Sequence, residues 1–304
     1  MKTSKNNHDI PNAYHTTVLL HEAVEHLLVK PGGTYLDATF GGGGHTRLLL
    51  ASDPTCRVIA LDWDKEAITH NAAALSDEFG DRFIIEWGNF AHCYKLLKKH
   101  GITKLDGALA DFGTSAHQIK NEAGFSFKND TALDMRMSKG HHYFDAAYVI
   151  NKFGQKQIAD IIYKYGEDSF SRKIAMAIVE AREKGMLFTT TKQLADLIEK
   201  VIPVRGYQRI HPATKTFQAL RIFVNKELEN IELFLKNALP MLNPGGRLAC
   251  ISFHSLEDRI VKDFFRDNEE ALSSITRKPI VPSEEEVERN RASRSAKLRV
   301  GQKR

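Results

Sequence analysis

Between residues 34 and 113 four short apolar runs alternate with helical patterns, and this alternation limits the fold more than any other feature. The runs are "TYLDATF" (34–40), "RVIALDWD" (57–64), "RFIIEWGNF" (82–90) and "LDGALADFG" (105–113). The segments between them, 45–51, 65–79 and 91–100, carry apolar residues at helical spacing. Strands that alternate with helices imply a parallel sheet covered on both faces. Right-handed crossovers then put the C-terminal ends of the strands on one edge, where ligands bind. Ahead of the first strand, "VLLHEAVEHLLV" (18–29) reads as a helix that "PGG" breaks.

The alternation stops after residue 113. Residues 116–213 hold several helical patterns, among them "QKQIADIIYKYG" and "TTKQLADLIEKVI", and no convincing strand. A long helix at about 214–240, the strand "GGRLACISF" (245–253) and the helix "SLEDRIVKDFFRDN" then resume the α/β pattern. The expected organisation is a discontinuous α/β domain, 1–115 with 214–304, carrying a helical insertion over 116–213. The insertion starts just after a strand's C-terminal end, so it is expected to stand over the ligand edge.

Four glycines, Gly41 to Gly44, follow the first strand. A P-loop needs Lys after its last glycine, and none is present. The dinucleotide fingerprint G-x-G-x-x-G puts Thr46 or Arg47 where its third glycine belongs. The loop fits a third template, the nucleoside-binding turn of methyltransferases, in which an acid on the strand precedes the turn; here Asp37 stands four residues before Gly41. A side chain at Gly43 or Gly44 is expected to fill space meant for a ligand. An ordinary tight turn would use the same residues. Asp62 ends the second run, 18 residues past Gly44, where an acid accepts from both hydroxyls of an adenosine ribose. That contact serves S-adenosylmethionine and NAD alike. Phe90 is either a stacking partner for adenine or a core aromatic. Asp111 ends the fourth run.

No run nears the ~18 apolar residues of a membrane helix, and "MKTSKNNHDIPNAYH" has no apolar signal core. Cys56, Cys93 and Cys250 are odd in number and far apart, which speaks against a disulfide framework or a zinc site. His45 has no second ligand at i+3 or i+4, so no metal is expected. These features suggest a cytoplasmic protein. The net charge of +5 is concentrated: residues 289–304 hold seven Lys or Arg and no acid, and the rest has 36 basic against 38 acidic residues. The tail is either a solvated terminus or an arm for nucleic-acid phosphates.

The segments "HTTVLLHEAV", "DATFGGGGHT", "GFSF", "LDMRM", "YGED", "HPATKTFQALRIFVN", "GGRLACISFHSLEDRIVK" and "SAKLRV" together resemble the RsmH (MraW) family of bacterial 16S rRNA cytosine N(4)-methyltransferases. The resemblance runs over nearly the whole chain. It implies a class I, Rossmann-like S-adenosylmethionine-dependent methyltransferase core with an inserted all-helical substrate domain. It also implies methylation of the exocyclic amine of one decoding-centre cytidine, numbered 1402 in the rRNA, within the small ribosomal subunit. Cofactor contacts implied by the matching motifs are Gly43, Gly44, His45, Asp62, Phe90, Asp111 and Gln118. The family's "DLGVSSPQ" reads "DFGTSAHQ" here, so Ala116 and His117 replace Ser-Pro and the loop lacks proline's stiffening. The basic tail keeps its character and is the expected RNA contact.

The cytosine amine is a weak nucleophile because its lone pair is delocalised into the ring. A group that accepts a hydrogen bond from it localises that pair; Asp111 is the candidate, and its alternative role is to contact only the cofactor. A nucleotide must leave its stack to reach the edge. Phe125 and Phe127 are candidates for stacking on it, Arg136 for a phosphate or base edge, and His211 and His254 for substrate contacts; each also suits a structural role. Three rival readings exist. A DNA amine methyltransferase would show an Asp/Asn-Pro-Pro-aromatic loop, which "DFGTS" lacks. An NAD oxidoreductase fails on glycine register. A non-catalytic RNA-binding or assembly protein would have no reason to keep Asp37, Gly43, Gly44, Asp62 and Asp111 together.

Overall fold

The computed structural model describes residues 17–113, 123–138, 140, 143–202 and 211–304. The chain divides into two compact units: Met1–Ala116 with Asn237–His254 and Val261–Arg304, and His117–Lys236 with Ser255–Ile260.

The first unit is built on a seven-stranded sheet. Its strands are β1 (Thr34–Asp37), β2 (Arg57–Asp62), β3 (Phe83–Trp87), β4 (Leu105–Asp111), β5 (Leu242–Ser252), β6 (Leu272–Ser274) and β7 (Lys297–Lys303), in the order β3-β2-β1-β4-β5-β7-β6. β1 to β5 run parallel to one another, and β7 runs antiparallel to both β5 and β6. Val58, Ile59, Ala60 and Leu61 of β2 are all fully buried, because helices cover both faces of a parallel sheet. The helices of the first half are α1 (Leu20–Leu27), α2 (Gly44–Ser52), α3 (Lys65–Phe79) and α4 (Cys93–Lys99). Asp64 caps α3 by accepting from the Glu66 and Ala67 amides. From β1 the chain proceeds outward through β2 and β3, then returns to the other side of β1 for β4 and β5. The order reverses between β1 and β4, so a crevice opens beyond their C-terminal ends.

The four runs read as strands form β1 to β4, each ending two or three residues earlier than the apolar pattern. The basic tail is neither frayed nor a free arm. Residues 297–303 form β7, in register with β5 from Lys297↔Ser252 to Gln302↔Arg247. Leu298 and Val300 are fully buried between charged neighbours. The two-residue alternation of "KLRV" was present in the sequence, but the charge pattern masked it.

The second unit is helical. Its elements are α5 (Ala146–Lys152), α6 (Gln155–Gly166), α7 (Ser171–Glu183), α8 (Thr191–Val201), α9 (Thr214–Asn225), and α10 (Glu227–Ala238) through Lys236. Apolar stripes from α6 (Ile158, Ile162), α7 (Ile174, Ile178), α8 (Leu194, Ile198) and α9 (Phe217, Leu220) close into one core. Thr190 and Gln193 form a reciprocal capping box that starts α8. The unit is larger than the insertion read from sequence, since α9 packs its apolar face into this core. The single long helix expected at 214–240 is two helices, broken at Lys226, which adopts a left-handed φ of 51°.

α6 and α9 approach closely at Gly166. A Cβ there would lie 2.6 Å from the Lys215 carbonyl oxygen, which belongs to the backbone and cannot swing away. Gly166→Ala should therefore destabilise this unit by about 1–3 kcal/mol of overpacking, more than the ~1 kcal/mol that alanine contributes to helix propensity. Calorimetry should show a lowered unfolding transition; an unchanged or raised one would refute the close packing.

Candidate active site

The crevice is lined by the residues that end β1, β2, β3 and β4. Asp37 ends β1 and is fully buried. Its Oδ2 accepts from the Thr46 hydroxyl at 2.7 Å and its Oδ1 from the Thr39 amide at 3.2 Å. Asp37 thus ties the first turn of α2 to the end of β1 and faces no solvent. Burial pushes its carboxyl up to about 7, and the nearby Asp62 adds to the rise, against the pull of the Thr46 and Thr39 hydrogen bonds. A carboxyl raised in this way binds a proton in the folded state that the unfolded chain has already lost. Its contribution to stability is full below about pH 4 and is lost as the pH rises through about 7. Asp37→Asn should flatten the fall in urea midpoint between pH 4 and pH 7; an undiminished slope would put the origin elsewhere.

The glycine turn is pinned at both ends of Gly41. The Gly41 amide donates to Asp62 Oδ2 at 2.7 Å, and its carbonyl accepts from Asn71 Nδ2 at 3.1 Å. Gly41 has a φ of +52°, and no atom lies within 4 Å of where its Cβ would be. Gly41 therefore faces open space. Gly43 and Gly44 are bare for packing reasons instead. A Cβ on Gly43 would meet the Phe40 ring at 3.0 Å, and one on Gly44 would overlap the Thr17 side chain. The expectation that their missing side chains make room for a ligand is corrected accordingly; their backbones remain next to the crevice. His45 is 4% exposed, with Nε2 3.2 Å from the Val18 carbonyl, so its ring fastens the segment before α1 onto α2.

Asp62 ends β2 and is half-buried. Its Oδ1 accepts from the Asp64 amide at 2.9 Å while Oδ2 holds Gly41. Burial raises its carboxyl to about 6, opposed by those two amide bonds. Each oxygen keeps a further lone pair for a ligand hydroxyl. Phe90 opens a 3₁₀ turn after β3 and lies in a row of rings: Trp63 at 6.2 Å and Phe112 at 5.8 Å between centroids. Trp63 and Phe112 each follow a strand-terminal acid directly. That position was the available signal for both, and the sequence reading passed over it.

Asp111 ends β4 and is 9% exposed. Its amide donates to the Thr39 hydroxyl at 2.7 Å, and its Oδ1 accepts from the Gly113 amide at 3.1 Å. Thr39 therefore spans the point where strand order reverses, bonded through its amide to Asp37 and through its hydroxyl to Asp111. Neither Thr39 nor Asn71 was singled out from sequence, since one threonine in "DATF" and one asparagine inside a helix carry no motif. Gln118 lies outside the described residues. His254 follows Phe253 at the end of β5 and is half-buried; the Phe253 ring packs on Gly113, where a Cβ would stand 2.6 Å away.

The remaining candidates belong to the helical unit. Phe127 lies against His211 with centroids 4.5 Å apart and the rings tilted by 35°, and meets Phe217 edge-on at 5.0 Å. His211 Nδ1 accepts from the Ala213 amide at 3.1 Å, which assigns the ring proton of a neutral His211 to Nε2. Phe125 is half-buried two residues from Phe127. Arg136 is committed to Asp134 by a two-pronged ion pair, Nε to Oδ1 at 2.6 Å and Nη2 to Oδ2 at 3.0 Å, so only the other side of its fork is open to a phosphate. The loop around it is strained, with Met135 at a φ of 64°. Asn225 of α9 clamps that strain by donating to the Met135 carbonyl and accepting from the Met137 amide, both at 2.8 Å.

The sequence matches the profile of the MraW methylase family over residues 12–304. Proteins named "Ribosomal RNA small subunit methyltransferase H" are similar along nearly their full length. The one from Carboxydothermus hydrogenoformans is 45% identical, over 95% of this chain and 97% of its own. That from Magnetococcus marinus is 46% identical, over 95% and 98%, and that from Nostoc punctiforme 48%, over 95% and 94%. Agreement at this level spans both compact units and every strand that contributes to the crevice, and on that ground the chain belongs to the MraW methylase family.

Proposed function

We propose that the chain transfers a methyl group from S-adenosylmethionine to the exocyclic amine of a decoding-centre cytidine in small-subunit rRNA, giving N(4)-methylcytidine. The observation that carries this reading is the pairing of Asp62 and Asp111 on either side of the strand reversal, linked through the loop that holds Thr39 and Gly41. The names of the full-length relatives support the rRNA of the small subunit as the substrate class.

The residues present suit an adenosine-containing donor. Gly41 leaves open space beside Asp62, and Trp63 and Phe90 offer aromatic faces next to it. When bound, S-adenosylmethionine supplies a methyl group made electrophilic by its sulfonium. Asp62 accepts from the ribose hydroxyls, and Phe90 lies against the adenine. Gly43, Gly44 and His45 contribute backbone groups at the start of α2, and Gln118 is a further contact from the family motif. Asp111 accepts a hydrogen bond from the cytosine amine, which favours a pyramidal nitrogen with a localised lone pair. It afterwards takes up the proton that the methylated, cationic amine releases, or hands it to water. Thr39 fixes the backbone from which Asp111 projects.

In this reading the helical unit is the RNA-substrate domain. Phe125, Phe127 and His211 form its aromatic surface, and Arg136 has its free edge toward a phosphate; His254 is a substrate contact after β5. The basic C-terminal segment carries an RNA contact made from folded structure. No described helix is long and apolar enough to cross a membrane, and an rRNA substrate implies a cytoplasmic location. The test is to incubate the protein and labelled S-adenosylmethionine with small subunits lacking the modification, then map the labelled nucleotide. Label on the amine of one decoding-centre cytidine supports the reading. Binding without label would favour a non-catalytic assembly role.

A further inference from the structure

The basic segment has two ends with different surroundings. β7 is antiparallel, and its first residue, Lys297, pairs with Ser252, the last residue of β5. The start of β7 therefore lies on the same sheet edge as the ends of β1, β2 and β4, and its far end lies about 20 Å away at ~3.3 Å per residue. Immediately before β7 the chain makes a 3₁₀ turn over Arg291–Ser295, which follows α12, numbered in order after α11 (Ser255–Asp267), over Glu284–Arg289.

This turn is anchored from inside. Ser293 is fully buried, and its hydroxyl donates to the Asn290 carbonyl at 2.8 Å. Asn290 Oδ1 accepts from the Ala292 amide at 3.2 Å, and Ala296 is buried behind the turn. Arg291 and Arg294 are both exposed. Residues three apart in a 3₁₀ turn eclipse one another, about 6 Å apart along the axis. The two guanidiniums thus leave the same face of a fixed turn. Neither has an ion-pair partner among the described residues, and Glu286 of α12 is engaged instead by the Leu19 amide. At the far edge, by contrast, Lys303 Nζ reaches the Leu239 carbonyl and Arg304 Nε the Glu269 carbonyl.

We infer that Arg291 and Arg294 form a clamp for backbone phosphodiesters of the RNA strand beside the target nucleotide. Guanidinium forks match phosphate geometry, and a rigid pair loses little freedom on binding. The inference rests on the RNA-methylation reading and narrows the RNA contact of the basic segment to its first turn, excluding the end of β7.

The test uses the full chain and small subunits lacking the modification. Binding is measured across a salt series for the wild type, for Arg291→Gln/Arg294→Gln and for Lys303→Gln/Arg304→Gln. Two lost phosphate contacts should make the slope of log affinity against log salt shallower by about 1.4, at ~0.7 per single-strand contact. RNA affinity should fall roughly 10-fold at moderate salt on the same basis. Calorimetric binding of S-adenosylmethionine should stay within twofold, and the far-edge variant should keep the wild-type slope. The single variants, each expected to lose about half of the slope change, keep the test open if the double variant misfolds. An unchanged slope, or an equal loss in the far-edge variant, overturns the clamp. A wild type that binds subunits with this slope yet transfers no methyl group would overturn the catalytic reading and leave the clamp standing.

Discussion

Asp62→Ala should raise the dissociation constant for S-adenosylmethionine and for its demethylated product by about 100-fold. Two hydrogen bonds from hydroxyls to an ionised carboxylate contribute roughly 1.5–3 kcal/mol each at the upper range, and each 1.4 kcal/mol is a factor of about ten. Their sum, about 3–6 kcal/mol, covers the roughly 2.8 kcal/mol that a 100-fold loss represents. Asp62 also holds the Gly41 amide at 2.7 Å, so its removal loosens the turn that borders the open space. Asp62→Asn separates the two effects, because its amide oxygen still accepts from Gly41 while the negative charge is gone. It should bind more tightly than Asp62→Ala and more weakly than wild type. Burial raises the Asp62 carboxyl to about 6, and only the ionised form accepts with both oxygens. Donor affinity should therefore decline as the pH drops through about 6, and that decline should be absent in Asp62→Asn. Isothermal calorimetry checks all three. If Asp62→Ala binds the donor like wild type, the nucleoside pocket is not where this strand end puts it.

Asp111→Asn should lower kcat by about 100- to 1,000-fold, within the roughly 100- to 10,000-fold that a positioned proton acceptor contributes, and should change donor affinity by only a few-fold. Asparagine keeps the shape and can still accept from the Gly113 amide. In the proposed reaction it cannot take up the proton that a methylated amine would lose. Equal losses in turnover and donor affinity would make Asp111 a cofactor contact alone. Thr39→Val gives a second view of the same carboxylate. It removes the hydroxyl that receives the Asp111 amide at 2.7 Å, at a nearly buried position. A kcat loss of roughly 10-fold is expected from the 1–3 kcal/mol cost of an unsatisfied group, and Thr39→Ser should recover most of it. If valine and serine behave alike, the bond across the strand reversal does not position Asp111.

The parallel sheet was legible because β1, β2 and β4 are largely buried on both faces and, with β3 at the edge, read as apolar runs between helices. β7 was hidden for the opposite reason. Its buried apolar side chains, Leu298 and Val300, alternate with Lys297 and Arg299, and these charged neighbours dominate the local composition. β6, at three residues, is too short to show a period. The strand-terminal acids were legible because each closes an apolar run. Thr39, Asn71 and Asn225 were not, since each acts on a partner distant in sequence: Asp111, Gly41 and the Met135 loop.

The amino-acid order alone determined the alternation of strands and helices, the common edge at which the parallel strands end, and the acids that end β2 and β4. Those are local properties, written in the burial period of one segment at a time. Tertiary structure decided that Gly41 borders open space, that the basic segment ends as a strand preceded by a turn carrying the exposed Arg291 and Arg294, and that Arg136 is tied to Asp134. Each of these depends on which atoms from remote parts of the chain fill a given volume, and excluded volume and charge pairing are settled only when the chain is packed.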